Sequence, residues 1–137
     1  MRPTLTFALA LFALSCGCSS APDDGPDLYP AEGLVLLDGE PVEGATVVFN
    51  PKDGRRGATG QTDAGGRFEM YYIGTKGSPA GLSQVVISTR GDKYDEYGRT
   101  VGVTPEKIPD RYRGNSELTA DVRTDGENSF LFELTSE

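Results

Sequence analysis

The stretch that decides the fold is "TDAGGRFEMYY", residues Thr62 to Tyr72. A phosphate cradle needs a helix after its glycines, and a calcium loop needs carboxylates at alternating positions. Here a strand pattern follows the glycines, and Asp63 has no further carboxylates at alternating positions. We therefore predict a structural turn at Asp63, Gly65 and Gly66, in which the carboxylate accepts hydrogen bonds from backbone N–H groups. The residues that follow have the two-residue period of a strand, with Phe68, Met70 and Tyr72 on one face and Arg67, Glu69 and Tyr71 on the other.

Six further stretches alternate in the same way on either side of this turn. Asp38-Gly39 is a second tight-turn signal, directly after the first of them. Seven short strands, each with one apolar face, predict an all-β fold: a seven-stranded antiparallel sandwich of two sheets around one core. The predicted strands lie near residues 34–37, 45–50, 58–62, 67–72, 84–89, 118–123 and 129–135.

These strands and turns carry a family motif. "GLVLLDGEPVEGATVVFNP", "ATGQTDAGGRF" and "PAGLSQVVIST" resemble the carboxypeptidase regulatory-like domain, a transthyretin-like (prealbumin-like) sandwich. The chain departs from the family pattern at Leu82-Ser83, where the family usually has an aromatic residue. The resemblance implies a domain over residues 31–137 and a binding or accessory module without catalysis. The matching positions are Asp38, Gly39, Pro41, Gly44, Ala45, Val47, Thr62, Asp63, Gly66, Phe68, Pro79, Gly81, Val85 and Ile87.

Composition excludes several classes of function. The chain has 137 residues, no His, two Cys and a formal charge of −8. Without His, Ser–His and Cys–His catalysis is absent, and so is the commonest zinc ligand. An acidic surface repels nucleic acid phosphates. We therefore predict no catalytic residue, no metal site, no cofactor and no nucleic-acid partner.

The first residues predict export and anchoring. Residues 1–15, "MRPTLTFALALFALS", combine Arg2 with an apolar run too short to span a bilayer, which is typical of a signal peptide. Ala13-Leu14-Ser15-Cys16 resembles the lipobox of bacterial lipoproteins, which implies that Cys16 is acylated with palmitate-like chains. Cys18 is the alternative acylation site. A further alternative places both cysteines in a discarded signal or in a local disulfide.

The anchor sets the expected location. Residues 16–30 are polar and rich in Pro, Gly and Asp, so we predict a lipidated anchor and flexible tether. The protein is then held in the cell envelope, outside the cytoplasm, by membrane lipid. Where the host has an outer membrane, we expect that membrane to carry it.

A long connection over residues 91–117 is the segment that looks most functional, since loops of this length are often binding elements. It is predicted to contain at most one helical turn, with Thr104 as cap and Pro105 at its first position. Exposed Tyr and Arg contact sugars and proteins well, which makes Tyr94, Tyr97 and Arg99 candidate ligand contacts. Two alternatives remain: Val101, Val103, Ile108 and Tyr112 pin the segment to the sandwich, or Asp92, Asp95 and Glu96 hold calcium.

The sequence thus predicts a lipoprotein whose β-sandwich is not an enzyme and acts as an interaction or envelope-structural module. Its expected partners are an envelope protein or a polysaccharide. A carbohydrate-binding module that uses the loop tyrosines is the alternative. A hydrolase based on two facing carboxylates is a weaker one.

Overall fold

The structure, a computed structural model, describes residues 25–137. The regular elements in this part of the chain are strands and one 3₁₀ turn, Asp110–Tyr112. The strands are β1 Leu28–Tyr29, β2 Ala31–Leu37, β3 Glu40–Pro41, β4 Thr46–Pro51, β5 Ala58–Gln61, β6 Arg67–Glu69, β7 Tyr71–Tyr72, β8 Thr75–Lys76, β9 Ser78–Pro79, β10 Gly81–Ser88, β11 Gly91–Tyr94, β12 Thr100–Thr104, β13 Thr119–Val122 and β14 Asn128–Leu134.

Two sheets form the sandwich. The larger has the strand order β13-β10-β4-β5-β7-β8. In the smaller sheet β2 lies at the centre, with β14 on one side and both β3 and β6 on the other. The all-β prediction is therefore confirmed, and each of the seven predicted stretches contains a strand.

One pairing contradicts the antiparallel prediction. β14 runs parallel to β2 over seven residue pairs, from Asn128 opposite Ala31 to Leu134 opposite Leu37. A parallel partner needs a long crossover rather than a hairpin. Here almost the whole domain lies between the two strands in the sequence. The alternation of apolar and polar residues is the same in a parallel and in an antiparallel strand, so it gives no information about the direction of pairing.

The core lies between the two sheets, and alternation along the strands fills it. Ala45, Val47 and Phe49 are fully buried before and within β4, as are Val85 and Ile87 in β10. The Phe49 ring meets the rings of Phe68 and Phe130 edge-on, with centroids 6.4 and 5.5 Å away. Phe132 stacks on Phe68 at 5.9 Å. Phenylalanines from both sheets therefore join them into one core.

The turn at Asp63 forms as predicted. Asp63 Oδ1 accepts the N–H groups of Gly65 and Arg67 at 2.9 and 3.0 Å. Gly66 has a φ of +75°, and a Cβ there would lie 2.7 Å from the Val35 carbonyl oxygen. Gly66 is thus required both by the left-handed backbone and by the close approach of β2.

The turn at Asp38-Gly39 also forms. Leu37 pairs with Glu40 across it, and both turn residues have positive φ, 52° and 83°. These are the features of a type I′ turn, for which Asp-Gly is a preferred pair.

The prediction of one long loop over residues 91–117 is wrong in its first half. Residues 91–104 form the hairpin of β11 and β12, in which Val101 and Val103 are exposed rather than pinned to the sandwich. Thr104 ends a strand instead of capping a helix, and the helical turn comes later, at Asp110–Tyr112. Ile108 is buried and Tyr112 packs against the core, as predicted.

The domain begins before Ala31. Leu28 and Tyr29, assigned to the tether, form β1 and pair with Pro79 and Ser78 of β9. Tyr29 also packs against the core. The predicted signal peptide and the acylation sites Cys16 and Cys18 lie outside the described residues. Within residues 25–137, no helix has the length and apolar character needed to cross a bilayer.

Candidate functional site

The β11–β12 hairpin stands apart from both sheets. Its two strands pair with each other and with no other strand of residues 25–137. Asp92 lies opposite Val103 and Tyr94 opposite Thr100, so Tyr94 and Val103 project from the same face. The register shifts between Lys93 and Tyr94, which leaves Val101 as the extra residue of a β-bulge. Apolar side chains are exposed along the whole hairpin.

The tip of the hairpin repeats the turn at Asp63. Asp95 Oδ1 accepts the N–H groups of Tyr97 and Arg99, each at 2.9 Å. The backbone N–H of Gly98 donates to the Asp95 carbonyl at 3.0 Å, and Gly98 has a φ of +77°. Hydrogen bonds to the carboxylate lower the pKa of Asp95, which keeps the side chain ionised and the turn closed at neutral pH.

Arg99 holds the Tyr97 ring in place. Its guanidinium donates to Asp95 Oδ2 at 2.8 Å, and its Cζ atom lies 5.3 Å from the centroid of the Tyr97 ring. A cation over an aromatic face is attractive. The Tyr97 side chain is nevertheless 74% exposed and that of Tyr94 is 62% exposed. The structure thus brings Tyr97 and Arg99 together and places Tyr94 on the adjoining strand.

Glu106 fixes the base of the hairpin to the sandwich. Its carboxylate accepts hydrogen bonds from Ser88 Oγ, from the Thr89 N–H at 2.9 Å and from the Ile108 N–H at 3.0 Å. These hydrogen bonds outweigh partial desolvation and lower the pKa of Glu106 to about 2. The Thr89 hydroxyl also donates to the Pro105 carbonyl at 3.0 Å. The chain leaving β12 is therefore tied to the end of β10.

The C-terminal segment is held against the 3₁₀ turn. Tyr112 Oη accepts the Thr135 N–H at 3.1 Å, and Arg111 donates to the Thr135 hydroxyl at 2.6 Å and to the Glu137 carbonyl at 2.8 Å. The hydrogen bonds from Thr135 and the nearby Arg111 lower the pKa of Tyr112 to about 8. An open concavity of about 620 Å³ adjoins this contact, lined by Asp110, Arg111, Tyr112, Asn115, Glu117 and Leu118.

Two carboxylates near the hairpin, those of Asp95 and Asp110, are already paired within the fold. Both oxygens of Asp95 accept hydrogen bonds within its own turn. Asp110 pairs with Arg113 beside the concavity. Among residues 25–137 no group of three or more His, Cys, Asp or Glu side chains could hold a metal ion.

Sequence reasoning missed the second turn and the role of Glu106. A signal for the turn was present, because Asp63-Ala64-Gly65-Gly66-Arg67 and Asp95-Glu96-Tyr97-Gly98-Arg99 share the pattern D-x-x-G-R. Glu106 had no such signal. Its partners Ser88 and Thr89 lie 17 or 18 positions away, and only the tertiary structure brings them to it.

The strand registers of the larger sheet show which loops lie at each end of the sandwich. Ser88 pairs with Thr46, and Ser83 with Pro51, so the 51–57 loop and the hairpin lie at opposite ends of β10. At ~3.3 Å per residue, seven steps along β10 separate these ends by ~23 Å. Gly25 lies at the end away from the hairpin, because it lines a shallow concavity with Arg55, Arg56, Tyr72 and Pro79.

No family model matches the chain, and no curated protein matches it. Among solved structures, the chain is similar to a 9R-lipoxygenase from Cyanothece PCC8801, with 20% identity and a TM-score of 0.43 over 79% of this chain. The matched part is 16% of the lipoxygenase chain. A likeness this weak carries no argument about function.

Proposed function

We propose that this protein is a membrane-anchored binding module of the cell envelope, without catalysis, that presents the β11–β12 hairpin to a partner. The observation that carries the proposal is the hairpin itself. It stands apart from both sheets, exposes Tyr94, Tyr97, Val101 and Val103, and keeps a fixed tip through Asp95. Exposed apolar surface on a preorganised element favours binding, because little conformational entropy is lost on association.

The anchoring part of the proposal rests on the sequence. The signal peptide at residues 1–15 and the lipobox-like stretch ending at Cys16, with Cys18 as the alternative, support acylation outside the cytoplasm. The carboxypeptidase regulatory-like motif supports a transthyretin-like sandwich. The position of Gly25 adds support, since the chain then enters the domain at the end opposite the hairpin and the hairpin faces away from the membrane.

A folded protein of the envelope is the partner we favour. Tyr, Arg and branched aliphatic side chains together are typical of protein contacts. A polysaccharide is the second candidate, because Arg99 supports the Tyr97 ring in one orientation and a fixed ring can stack on a sugar.

Photo-crosslinking in the native host tests the hairpin. A photoreactive amino acid in place of Tyr97 should give one discrete protein adduct in the envelope fraction. The same substitution at Asp53, in the loop at the other end, serves as control and should not give that adduct. Identical adducts from both positions, or adducts from neither together with unchanged polysaccharide binding by Tyr97→Ala, would contradict the proposal.

Mass spectrometry of the mature N-terminal peptide tests the anchor separately. We expect Cys16 to be the first residue and to carry a diacylglycerol and a fatty acyl group. An unmodified N-terminus beyond Cys18 would remove the anchor from the proposal and leave a secreted binding module.

A further inference from the structure

The hairpin of β7 and β8 carries an unfavourable residue in its turn. Tyr72 pairs with Thr75, and the two residues between them have positive φ, 46° at Ile73 and 79° at Gly74. This is the turn geometry that the chain builds elsewhere with Asp38 and Gly39. A β-branched residue is a conformational outlier at such a position. The Ile73 side chain is 66% exposed, so packing within the domain does not compensate for the strain.

Ile73 belongs to the end of the sandwich where the chain enters the domain. Its neighbour Tyr72 lines the same concavity as Gly25. Leu82, which is 47% exposed, lies at this end too, because its carbonyl accepts the Lys52 N–H at 3.0 Å. Two apolar side chains thus project into solvent close to the point where the N-terminal segment meets the fold.

Cations lie between these apolar side chains. The 51–57 loop contains Lys52, Arg55 and Arg56 but a single acidic residue, Asp53, in a chain whose formal charge is −8. Arg55 pairs with Asp53, Nε to Oδ2 at 2.6 Å, and also donates to the Ala80 carbonyl at 3.0 Å. The side chains of Lys52 and Arg56 are exposed. The loop therefore presents positive charge next to exposed Ile73 and Leu82.

We propose that this end, defined by Ile73, Leu82, Lys52 and Arg56 and here called the anchor end, rests on the surface of a lipid bilayer. Ile73 and Leu82 enter the boundary between headgroups and acyl chains, while Lys52 and Arg56 contact lipid phosphates. An exposed apolar residue on a tight turn, flanked by cations, has the chemistry that an interfacial contact requires.

The length of the N-terminal segment brings the membrane within reach. Gly25 lies seven positions after Cys18 and nine after Cys16, so an acylated cysteine lies at most ~25–32 Å from Gly25, which belongs to the anchor end. This step rests on the proposed acylation. A tether this short keeps the anchor end near the bilayer, so that even a weak contact is populated through its high effective concentration.

A tryptophan reporter tests the contact in the full chain. The sequence contains no Trp, so Ile73→Trp gives a single fluorophore. The acylated protein is placed in vesicles of phosphatidylglycerol and phosphatidylcholine whose acyl chains are brominated near the headgroup. We expect Ile73→Trp to lose most of its emission to bromine quenching and to shift to the blue. Leu82→Trp is a second reporter should Ile73→Trp fold poorly, and Tyr97→Trp at the hairpin is the control that stays unquenched.

A charge series tests the cations. Lys52→Gln/Arg56→Gln should weaken quenching of the Ile73→Trp reporter, and so should added salt or vesicles of phosphatidylcholine alone. Lys93→Gln/Lys107→Gln makes the same change in net charge at the hairpin end and should leave quenching unchanged. Equal quenching at positions 73 and 97, or quenching at neither 73 nor 82, overturns the proposal.

The design separates this proposal from the proposed anchoring. Acyl chains are verified by mass before the protein is placed in vesicles, so an acylated chain whose reporters stay unquenched overturns the bilayer contact alone. Should the native chain prove unacylated, the anchoring fails. A chain that carries Cys18→Ser and is coupled through Cys16 to a maleimide-bearing lipid then supplies the same tether, and its reporters decide the bilayer contact by themselves.

Discussion

The tight turns at Asp38-Gly39 and Ile73-Gly74 have the same backbone geometry but differ in their first residue, and that difference affects the stability of the protein. Asp38 suits a left-handed backbone, and its carboxylate also binds Ser136, accepting the N–H at 3.0 Å and the hydroxyl at 2.6 Å. Ile73 occupies the equivalent position with no comparable partner among the hydrogen bonds of residues 25–137. A residue retained at a conformational cost is more easily explained by a contact outside the domain than by the fold.

We therefore expect Ile73→Asn to stabilise the isolated protein. Asn tolerates a left-handed backbone, where a branched residue costs about 1–2 kcal/mol, so the free energy of unfolding should rise by about 1 kcal/mol. For a domain of this size the thermal midpoint should rise by about 4–8 °C. Calorimetry measures the change, and Ile73→Val, which keeps the branched side chain, should melt as the parent does. A lower midpoint for Ile73→Asn would show that the isoleucine stabilises the fold.

A second prediction at this scale concerns the Tyr112 phenol. Its pKa is about 8 in the folded protein against an ordinary value of 10.0, because it accepts hydrogen bonds from Thr135 and lies near Arg111. One of the six tyrosines should thus ionise near pH 8 in an ultraviolet titration. Because the folded pKa is the lower one, this ionisation should add stability as the pH rises from about 8 to about 10. Tyr112→Phe should abolish the early step. A step that persists in this variant belongs to another tyrosine.

At the scale of elements, the Glu106 carboxylate, together with the Thr89 hydroxyl, ties the hairpin to the sandwich. The Glu106 side chain is only 17% exposed, and its pKa is lowered from 4.5 to about 2. A carboxylate whose pKa is lowered on folding stabilises the protein above its unfolded pKa, and that contribution is lost as the pH falls through the folded pKa. The connection after β12 is then an acid-sensitive part of the domain.

We expect the stability contributed by Glu106 to decline between about pH 4.5 and about pH 2. Glu106→Gln should lower the free energy of unfolding at neutral pH by about 2 kcal/mol, because a charged acceptor of several hydrogen bonds is lost. Its stability should also depend less on pH across this window. Denaturant unfolding at a series of pH values measures both effects, with the exposed Glu43→Gln as control. Parallel pH profiles for Glu106→Gln and the parent would refute the role of Glu106.

The two hairpin tyrosines should matter for binding and not for folding. Both side chains are exposed, and surface substitutions of this kind change stability by about 0.5 kcal/mol or less. Tyr94→Ala/Tyr97→Ala should therefore melt as the parent does while losing the partner defined by crosslinking. Circular dichroism and the crosslinking yield measure the two properties. Unfolding of the double variant would instead place the tyrosines in the fold.

At the scale of the whole molecule, the last strand closes the domain. β14 supplies Phe130, Phe132 and Leu134 to the core and pairs along the full length of β2. Asn128 connects distant parts of the chain, donating to the carbonyls of Pro30 and Arg123 at 3.1 and 3.0 Å. The two sheets cannot bury their inner faces until the C-terminal strand has docked.

A pair of deletions tests whether β14 is required for folding and the β11–β12 hairpin is not. A chain that ends before Asn128 should fail to fold, because each buried Phe or Leu contributes about 1.5–3 kcal/mol and domains are stable by only about 5–15 kcal/mol. A chain in which Asn-Gly replaces residues 92–103 should keep a folded core, since the hairpin pairs with neither sheet. Near-ultraviolet circular dichroism and amide NMR dispersion distinguish the two. A folded truncation or an unfolded hairpin deletion would reverse the assignment.

The sequence by itself determined what depends on neighbouring residues. Alternation placed Phe49, Phe68 and Ile87 in the core, because side chains two apart on a strand share a face. Asp38-Gly39 and Asp63 predicted their turns, because the left-handed backbone and the side-chain hydrogen bonds are local. The sequence also predicts Tyr94, Tyr97 and Arg99 as exposed contacts, although they lie on a hairpin rather than on the predicted loop.

Only the tertiary structure decided what depends on residues far apart in the chain. The parallel pairing of β14 with β2 joins residues almost a hundred positions apart, and alternation is the same for either strand direction. The Glu106 cluster exists because the chain returns to the end of β10. The placement of Ile73, Leu82 and the 51–57 loop opposite the hairpin follows from strand register, a property of paired strands that no single stretch of sequence contains.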